Sequence, residues 1–464
     1  MTSSLDGKLS ALAASSDGEL FDFNRGIERE ALRVDLQGRL AATPHPSFLG
    51  SKLCNPLITT DFSEAQLELI TPVTSSLDNM MERLRDIHRF VYSGLQDELL
   101  WTSSMPCVLQ GDDNVPLAQY GPSNLGTLKT TYRNGLGHRY GRSMQTISAV
   151  HYNFSFSDAF WKRLAEVEQA TDSPTWRSER YFDLMRNFRR FSWLLIYLFG
   201  ASPAVCNTFV EGRQHNLDRF DEGSLYARGA TSLRNGDLGY QSNTQSGLIN
   251  ICYNSLGDYV KSLADAICTP WEDYQQMGIK KDDEYIQVSP NILQSEAEFY
   301  TTIRAKRVPP AGANFLETLL DQGVEYIEVR MLDVNPYLPL GIDEEEVNFL
   351  DTFLLYCLLE TSPAHDDPLC KSVRDNVMAT VYQGRERDTM LDDGTSQRSI
   401  RDWCAESLAG VGAVADALDR REVGVHSRSV SAQIAKLDDP ELTPSARILA
   451  DMQGESIPFF RFAM

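Results

Sequence analysis

Four stretches of this chain set acidic, basic and imidazole side chains at alternate positions, where strand packing would otherwise favour apolar ones. In residues 24–33 an extended backbone puts Glu28 and Glu30 on one face and Arg29 and Arg33 on the other. In residues 59–70, Glu64, Gln66 and Glu68 fall together, opposite Ala65, Leu67 and Leu69. In residues 148–156, His151, Asn153 and Ser155 oppose Val150, Tyr152, Phe154 and Phe156. In residues 325–333, Glu328 and Arg330 oppose Ile327, Val329 and Met331.

Such alternation also describes the wetted outer face of an antiparallel sheet, and the pattern alone leaves both readings open. If the four faces line one cavity, the chemistry narrows. Two carboxylates about 4 Å apart, at an effective dielectric near 20, repel by roughly 4 kcal/mol. Such a group must protonate or recruit cations. Hard oxygen donors with one imidazole suit magnesium or manganese better than a thiolate-seeking metal. Magnesium in turn points to a nucleoside triphosphate, and Arg330 beside Glu328 is the kind of cation that steadies a transferring phosphoryl group.

Other routes to phosphate or hydrolytic chemistry lack their motifs. The chain has no G-x-x-x-x-G-K-[S/T], no G-x-S-x-G and no H-E-x-x-H. The run Gly410-Val-Gly412-Ala-Val-Ala415 imitates a dinucleotide loop but follows a helical pattern and lacks a strand–turn–helix frame. No two of the eight cysteines are spaced C-x-x-C, which removes zinc-ribbon and thioredoxin readings, and Cys357 sits in an apolar run as a small core residue.

The elements that must carry these residues are of two kinds. Strand-like patterns fill residues 22–73 and recur at 150–156, 285–288 and 325–334. Residues 75–100 read as one amphipathic helix on Met81, Leu84, Ile87, Val91 and Leu95, and residues 174–198 as a second ending at Gly200. Beyond Gly341 the period is mainly helical, at 344–360, 402–420 and 445–452. Strands gathered early and helices late indicate an α+β fold with an antiparallel sheet. No composition shift divides the chain, so residues 1–464 are read as a single catalytic domain, with a sheet-bearing core over 20–340 and a mainly helical part over 341–464.

The balance of 43 basic against 65 acidic residues gives a net charge of −22, the wrong sign for displacing counterions from nucleic acid. No apolar stretch is long and continuous enough to span a bilayer, and the first twenty residues lack a signal pattern. The expected setting is cytoplasmic, with small-molecule partners, no nucleic acid and no membrane, as a monomer or small homo-oligomer.

Taken in order, several segments resemble the proteobacterial type of glutamate–cysteine ligase. They include Arg25-Gly-Ile-Glu-Arg-Glu30, Thr60-Asp-Phe62, Leu67-Glu-Leu-Ile-Thr-Pro72, Ser104-Met-Pro-Cys107 and Val150-His-Tyr-Asn-Phe-Ser155. Thr231-Ser-Leu-Arg234, Asp237-Leu-Gly-Tyr240, Tyr326-Ile-Glu-Val-Arg330 and Asp333-Val-Asn-Pro336 continue the match. The resemblance implies a glutamine synthetase-like fold, a curved antiparallel sheet forming a funnel with helices outside it. It also implies an ATP-dependent ligase that makes a γ-glutamyl amide through γ-glutamyl phosphate, with ATP and Mg2+ (or Mn2+) as cofactors, in the first step toward glutathione. Carried onto this chain, the metal ligands are Glu28, Glu30, Asp61, Glu68, His151 and Glu328. Arg330 and Arg133 contact phosphates, and Phe62, Tyr132, Leu136, Gln145, Arg234, Tyr240 and Tyr300 bind the acceptor, which is cysteine. The segment Gly384-Arg-Glu-Arg-Asp388 departs from the family's pattern. That departure keeps open an alternative, a related γ-glutamyl ligase with another small amine or amino acid as acceptor.

Overall fold

A computed structural model of the chain describes residues 5–14, 20–106, 108–239, 249–419 and 424–464. The alternating segments form one seven-stranded sheet. Its strands are β1 (Phe23–Asp35), β2 (Ile58–Thr60), β3 (Gln66–Ile70), β4 (Glu98–Leu100), β5 (Val150–Phe156), β6 (Ile303–Lys306) and β7 (Tyr326–Leu332). They run in the order β6-β7-β5-β1-β3-β2, with β4 paired to the end of β1, and every pairing is antiparallel. Register sets Glu28 opposite His151, Glu30 opposite Glu68, and Glu328 between Asn153 and Arg304. Because side chains alternate strictly along a strand, these residues share one face.

The other face is mainly apolar, with Arg25 and Arg29 of β1 buried on it. Ile27, Tyr152, Phe154, Ile327 and Val329 are buried in the main core against the helices Pro174–Phe199 and Glu344–Leu359. The late helices Ile400–Leu418 and Val425–Asp438 join the same core, with the Trp403 and Trp193 rings 4.8 Å apart. Gly410 lies in this helical packing. A Cβ there would fall 2.6 Å from the Tyr356 ring, so the glycine serves close helix approach instead of a nucleotide loop. The fold is α+β, as expected.

Some boundaries differ from the sequence reading. The helix expected over 75–100 ends at Gly94, and residues 98–100 pair with 33–35 as β4. Tertiary pairing overrides the helical period there, because the buried Arg33 at the end of β1 takes its partner Glu98 from that strand. Of residues 285–288 only Tyr285 is extended, in a short hairpin of Lys280–Lys281 with Glu284–Tyr285; the Gln287 side chain bonds the Tyr274 and Gly278 carbonyls instead. Glu64 leaves the acidic face. The chain turns at 63–65, which breaks the period, and Glu64 accepts from the His45 and Gln119 amides (each 2.9 Å) and pairs with Lys52.

The seven described cysteines are free, and Cys357 is buried as a core residue. Among the described residues no helix is long and apolar enough to cross a membrane.

Candidate active site

His151 stands at the centre of the polar face. Its Nδ1 is 3.4 Å from Glu28 Oε2 and 3.6 Å from Glu328 Oε1, and its Nε2 is 3.6 Å from Glu30 Oε1. Glu68 completes the group: one donor atom each from Glu28, Glu68 and His151 lie within 4.8 Å of one another. Asn153 Nδ2 donates to Glu28 Oε1 at 2.8 Å, and the Ala149 amide to Glu30 Oε2 at 2.7 Å. Among the described residues, the buried His151 Nε2 has no hydrogen-bond partner.

These carboxyls do not share a charge state. Burial, then the nearby Glu28, Asp61 and Glu30 charges, push Glu68 well above the usual carboxylate range. Burial and Asp61 lift Glu30 to about 8 against the pull of Arg330 and Arg234. For Glu328 burial acts in the same upward sense, but Arg330, Lys306 and His151 outweigh it and hold it low. Burial likewise opposes ionisation of Glu28, and the His151 hydrogen bond prevails. Burial and then Arg330 lower His151, which keeps the imidazole neutral with a lone pair to offer. Crowded oxygen donors, two of them forced toward protonation, and a buried nitrogen without a partner together fit a divalent cation with hard-ligand preference.

Cations flank the acids. Arg330 Nη1 lies 2.6 Å from Glu328 Oε1, and Lys306 Nζ 3.3 Å from Glu328 Oε2. Lys306 and Arg304 escape the sequence reading; Ile303-Arg-Ala-Lys306 alternates as the other faces do, but over only four residues. Arg133, on the helix Asn124–Tyr140, donates to the carbonyls of Asp61, Lys129 (3.2 Å) and Thr60 (3.4 Å) and covers the Tyr120 ring at 4.6 Å. Its charge and that of Asp61 both act on Glu68, which places the pair beside the cluster.

Phe62 and Leu136 are buried together with Val115, and Tyr132 and Tyr140 pack against them. At Gly137 the tight neighbour is Arg142, whose Cγ would lie 3.0 Å from an added Cβ. Gln145 Nε2 donates to the Tyr300 hydroxyl at 2.7 Å. Arg234 is fully buried; its Nη2 donates to the Arg330 carbonyl at 2.6 Å, and its Nη1 lies 3.8 Å from Asp333 Oδ1. It therefore supports the β7 backbone as well as adding positive charge near Glu30. Tyr240, like Cys107, lies outside the described residues.

A family model described as glutamate-cysteine ligase matches residues 9–380. The glutamate–cysteine ligase of Alcanivorax borkumensis is 48% identical over 462 residues, spanning 98% of this chain and 87% of its own length. That of Pseudomonas putida is 48% identical over 441 residues, spanning 95% and 84%. The crystal structure of Francisella tularensis glutamate–cysteine ligase in complex with AMP superposes with a TM-score of 0.89 at 36% identity, covering 95% of this chain and 86% of that one. A bifunctional glutathione synthetase from Pasteurella multocida shares the fold, with a TM-score of 0.74 at 24% identity over 98% of this chain and 52% of that one. With the match running through all four acidic strands, the chain belongs to the glutamate–cysteine ligase family.

Proposed function

We propose that this enzyme joins the γ-carboxyl of L-glutamate to the amine of L-cysteine with hydrolysis of ATP to ADP, giving γ-glutamylcysteine through γ-glutamyl phosphate. Convergence of Glu28, Glu30, Glu68, His151 and Glu328 from four strands on one face, with Arg330 and Lys306 beside them, carries this reading. It is supported by the names of relatives that match nearly the whole chain. Glu28, Glu68 and His151, with Glu30, Asp61 and Glu328 around them, would hold magnesium or manganese, which supplies positive charge to the triphosphate and to the transferring phosphoryl group.

A carboxylate is a poor acyl donor, so the protein's task is to bring anions together and stabilise charge as it moves. Arg330 and Lys306 face the same cavity as the acids and balance charge on phosphoryl oxygens there, while Arg133 fixes the Asp61 loop by its carbonyls. Phe62, Tyr132 and Leu136 form an apolar wall that orients a small acceptor side chain, and Gln145 and Tyr300 give it a polar end. The same wall keeps water from the acyl phosphate. This reading takes the sheet as the funnel of a glutamine synthetase-like fold and residues 1–464 as one catalytic unit, acting on small molecules in the cytoplasm as a monomer or small homo-oligomer.

ADP release by the purified protein tests it. Turnover is expected only with glutamate, cysteine and a divalent cation all present. Glu328→Gln is expected to lower it by about a hundredfold or more with the circular dichroism unchanged, as for loss of a charge-bearing group in a metal site. Turnover with some other amine but not cysteine would overturn the acceptor, and a fully active Glu328→Gln would overturn the site.

A further inference from the structure

We propose that the buried Arg139–Glu298 ion pair, acting through Tyr140, is a positioning device that fixes Tyr300 and Gln145 and so sets which acceptor the enzyme takes. The proposal rests on the acceptor pocket assigned above.

Arg139 lies in the last turn of the helix that carries Tyr132 and Leu136. Its side chain and that of Glu298 are both fully buried, with Nη1 2.9 Å from Glu298 Oε1. The rest of the guanidinium is spread over the segment leading to Glu298. Nε and Nη2 donate to Gln287 Oε1 (3.1 and 2.7 Å), Nη2 to the Ser289 carbonyl (2.5 Å) and Nη1 to the Ile292 carbonyl (3.4 Å). The Tyr274 ring covers it at 4.1 Å. Glu298 Oε1 also accepts from the Tyr140 hydroxyl at 2.8 Å, and Oε2 accepts from the Gln294 amide at 2.6 Å.

From Tyr140 the chain of contacts runs directly to the pocket. Its ring meets Tyr300 edge-on, centroids 5.4 Å apart, and Gln145 donates to the Tyr300 hydroxyl. A second tie holds the same two segments: Gln294 Nε2 donates to the Tyr132 carbonyl at 3.2 Å. Gly135 makes room for it, since a Cβ there would fall 2.2 Å from Gln294 Oε1.

Charge here is better suited to orientation than to stability. An apolar pair of similar volume holds a fold as well as a buried ion pair does. What a forked guanidinium and a shared carboxylate add is one fixed geometry. That geometry sets the plane of Tyr140, hence the tilt of Tyr300 and the reach of Gln145.

Steady-state kinetics on the full chain test this, with acceptor varied at saturating ATP and glutamate, and cysteine compared with serine. Tyr140→Phe keeps the ring and the ion pair and removes one hydroxyl. It is expected to raise the cysteine KM about three- to tenfold, the worth of a single hydrogen bond, leaving the glutamate and ATP KM values unchanged. Glu298→Gln is expected to act in the same direction more strongly, with a smaller preference for cysteine over serine. Gln145→Ala is the reference for the pocket itself. If it raises the cysteine KM while the other two variants leave it unchanged, or lower kcat alone, the positioning role is overturned and the pocket stands. If Gln145→Ala also leaves the cysteine KM unchanged, the pocket assignment is wrong and the proposal falls with it. Should Glu298→Gln not fold, Tyr140→Phe decides alone.

Discussion

At the scale of single residues, neighbours on one strand face differ in protonation because of what lies across from them. Both Glu328 and Glu30 are buried, but Arg330 and Lys306 keep Glu328 ionised, whereas burial and then the Asp61 charge raise Glu30 from its ordinary value of 4.5 to about 8. The sign of the consequence follows from proton counting. Between pH 4.5 and about 8 the folded, metal-free protein holds a proton on Glu30 that the unfolded chain has lost, so this group makes stability fall as pH rises across that window. Glu68, raised for the same reasons, acts in the same sense. Magnesium or manganese binding must expel those protons, so the affinity is expected to rise with pH up to about 8. Titration calorimetry in buffers of different ionisation enthalpy would show the released protons; a pH-independent affinity with no proton release would contradict the assignment. Period two showed that Glu28 and Glu30, His151 and Asn153, and Glu328 and Arg330 share strand faces; it left open whether those faces meet in one site, and it misplaced Glu64. The charge states were not readable, because these depend on Lys306 and Arg304, whose four-residue strand carries too few alternations to stand out.

At the scale of elements, the sheet is tied to its supporting helix by charge as well as by packing. Behind the sheet Asp351 of the helix Glu344–Leu359 accepts from Arg25 Nε and Nη2 (2.8 and 2.6 Å) and from the Tyr152 hydroxyl (2.5 Å). Arg25 is on β1 and Tyr152 on β5, the two strands that set Glu28 against His151. Asp351→Ala leaves a buried guanidinium without its carboxylate and is expected to cost about 3–5 kcal/mol. Tyr152→Phe is expected to cost about 1 kcal/mol, one hydrogen bond. Urea unfolding measures both, and equal midpoints for Asp351→Ala and the parent would refute the tie. Long elements with one clear period, such as β1 and the helix Pro174–Phe199, were legible in sequence. The helix Asn124–Tyr140 was not. Gly126, Gly135 and Gly137 oppose helix formation, and all three are buried with Thr131 and Leu136; Gly126 lies close to the Tyr120 and Gly121 carbonyls and Gly135 to Gln294.

At the scale of the molecule, the late helices are part of the support for the site. Trp403 of the helix Ile400–Leu418 packs on Trp193 (4.8 Å) and Phe191 (6.2 Å), and both belong to the helix Pro174–Phe199. That helix lies in the same core as Tyr152, Phe154 and Val329, directly behind the acidic face. The core thus runs without a break from the sheet to Leu437, and a boundary near residue 341 would cut through it. Trp403→Ala opens a cavity in this layer and is expected to cost about 3–5 kcal/mol. A fragment ending at residue 399 would uncover Trp193, Phe191 and the side of the helix Glu344–Leu359 that meets the late helices, an apolar patch of the kind that drives aggregation. The fragment is therefore expected to be insoluble or to lack a cooperative thermal transition, and to show no ADP release. If it is instead soluble and melts cooperatively, the helical part is a separate domain and the single catalytic unit proposed here is wrong. The sequence signals of residues 341–464 are mainly helical, which is why period alone separates them from the sheet. The two are joined by buried aromatic contacts across that line and by the Asp351 bonds to Arg25 and Tyr152.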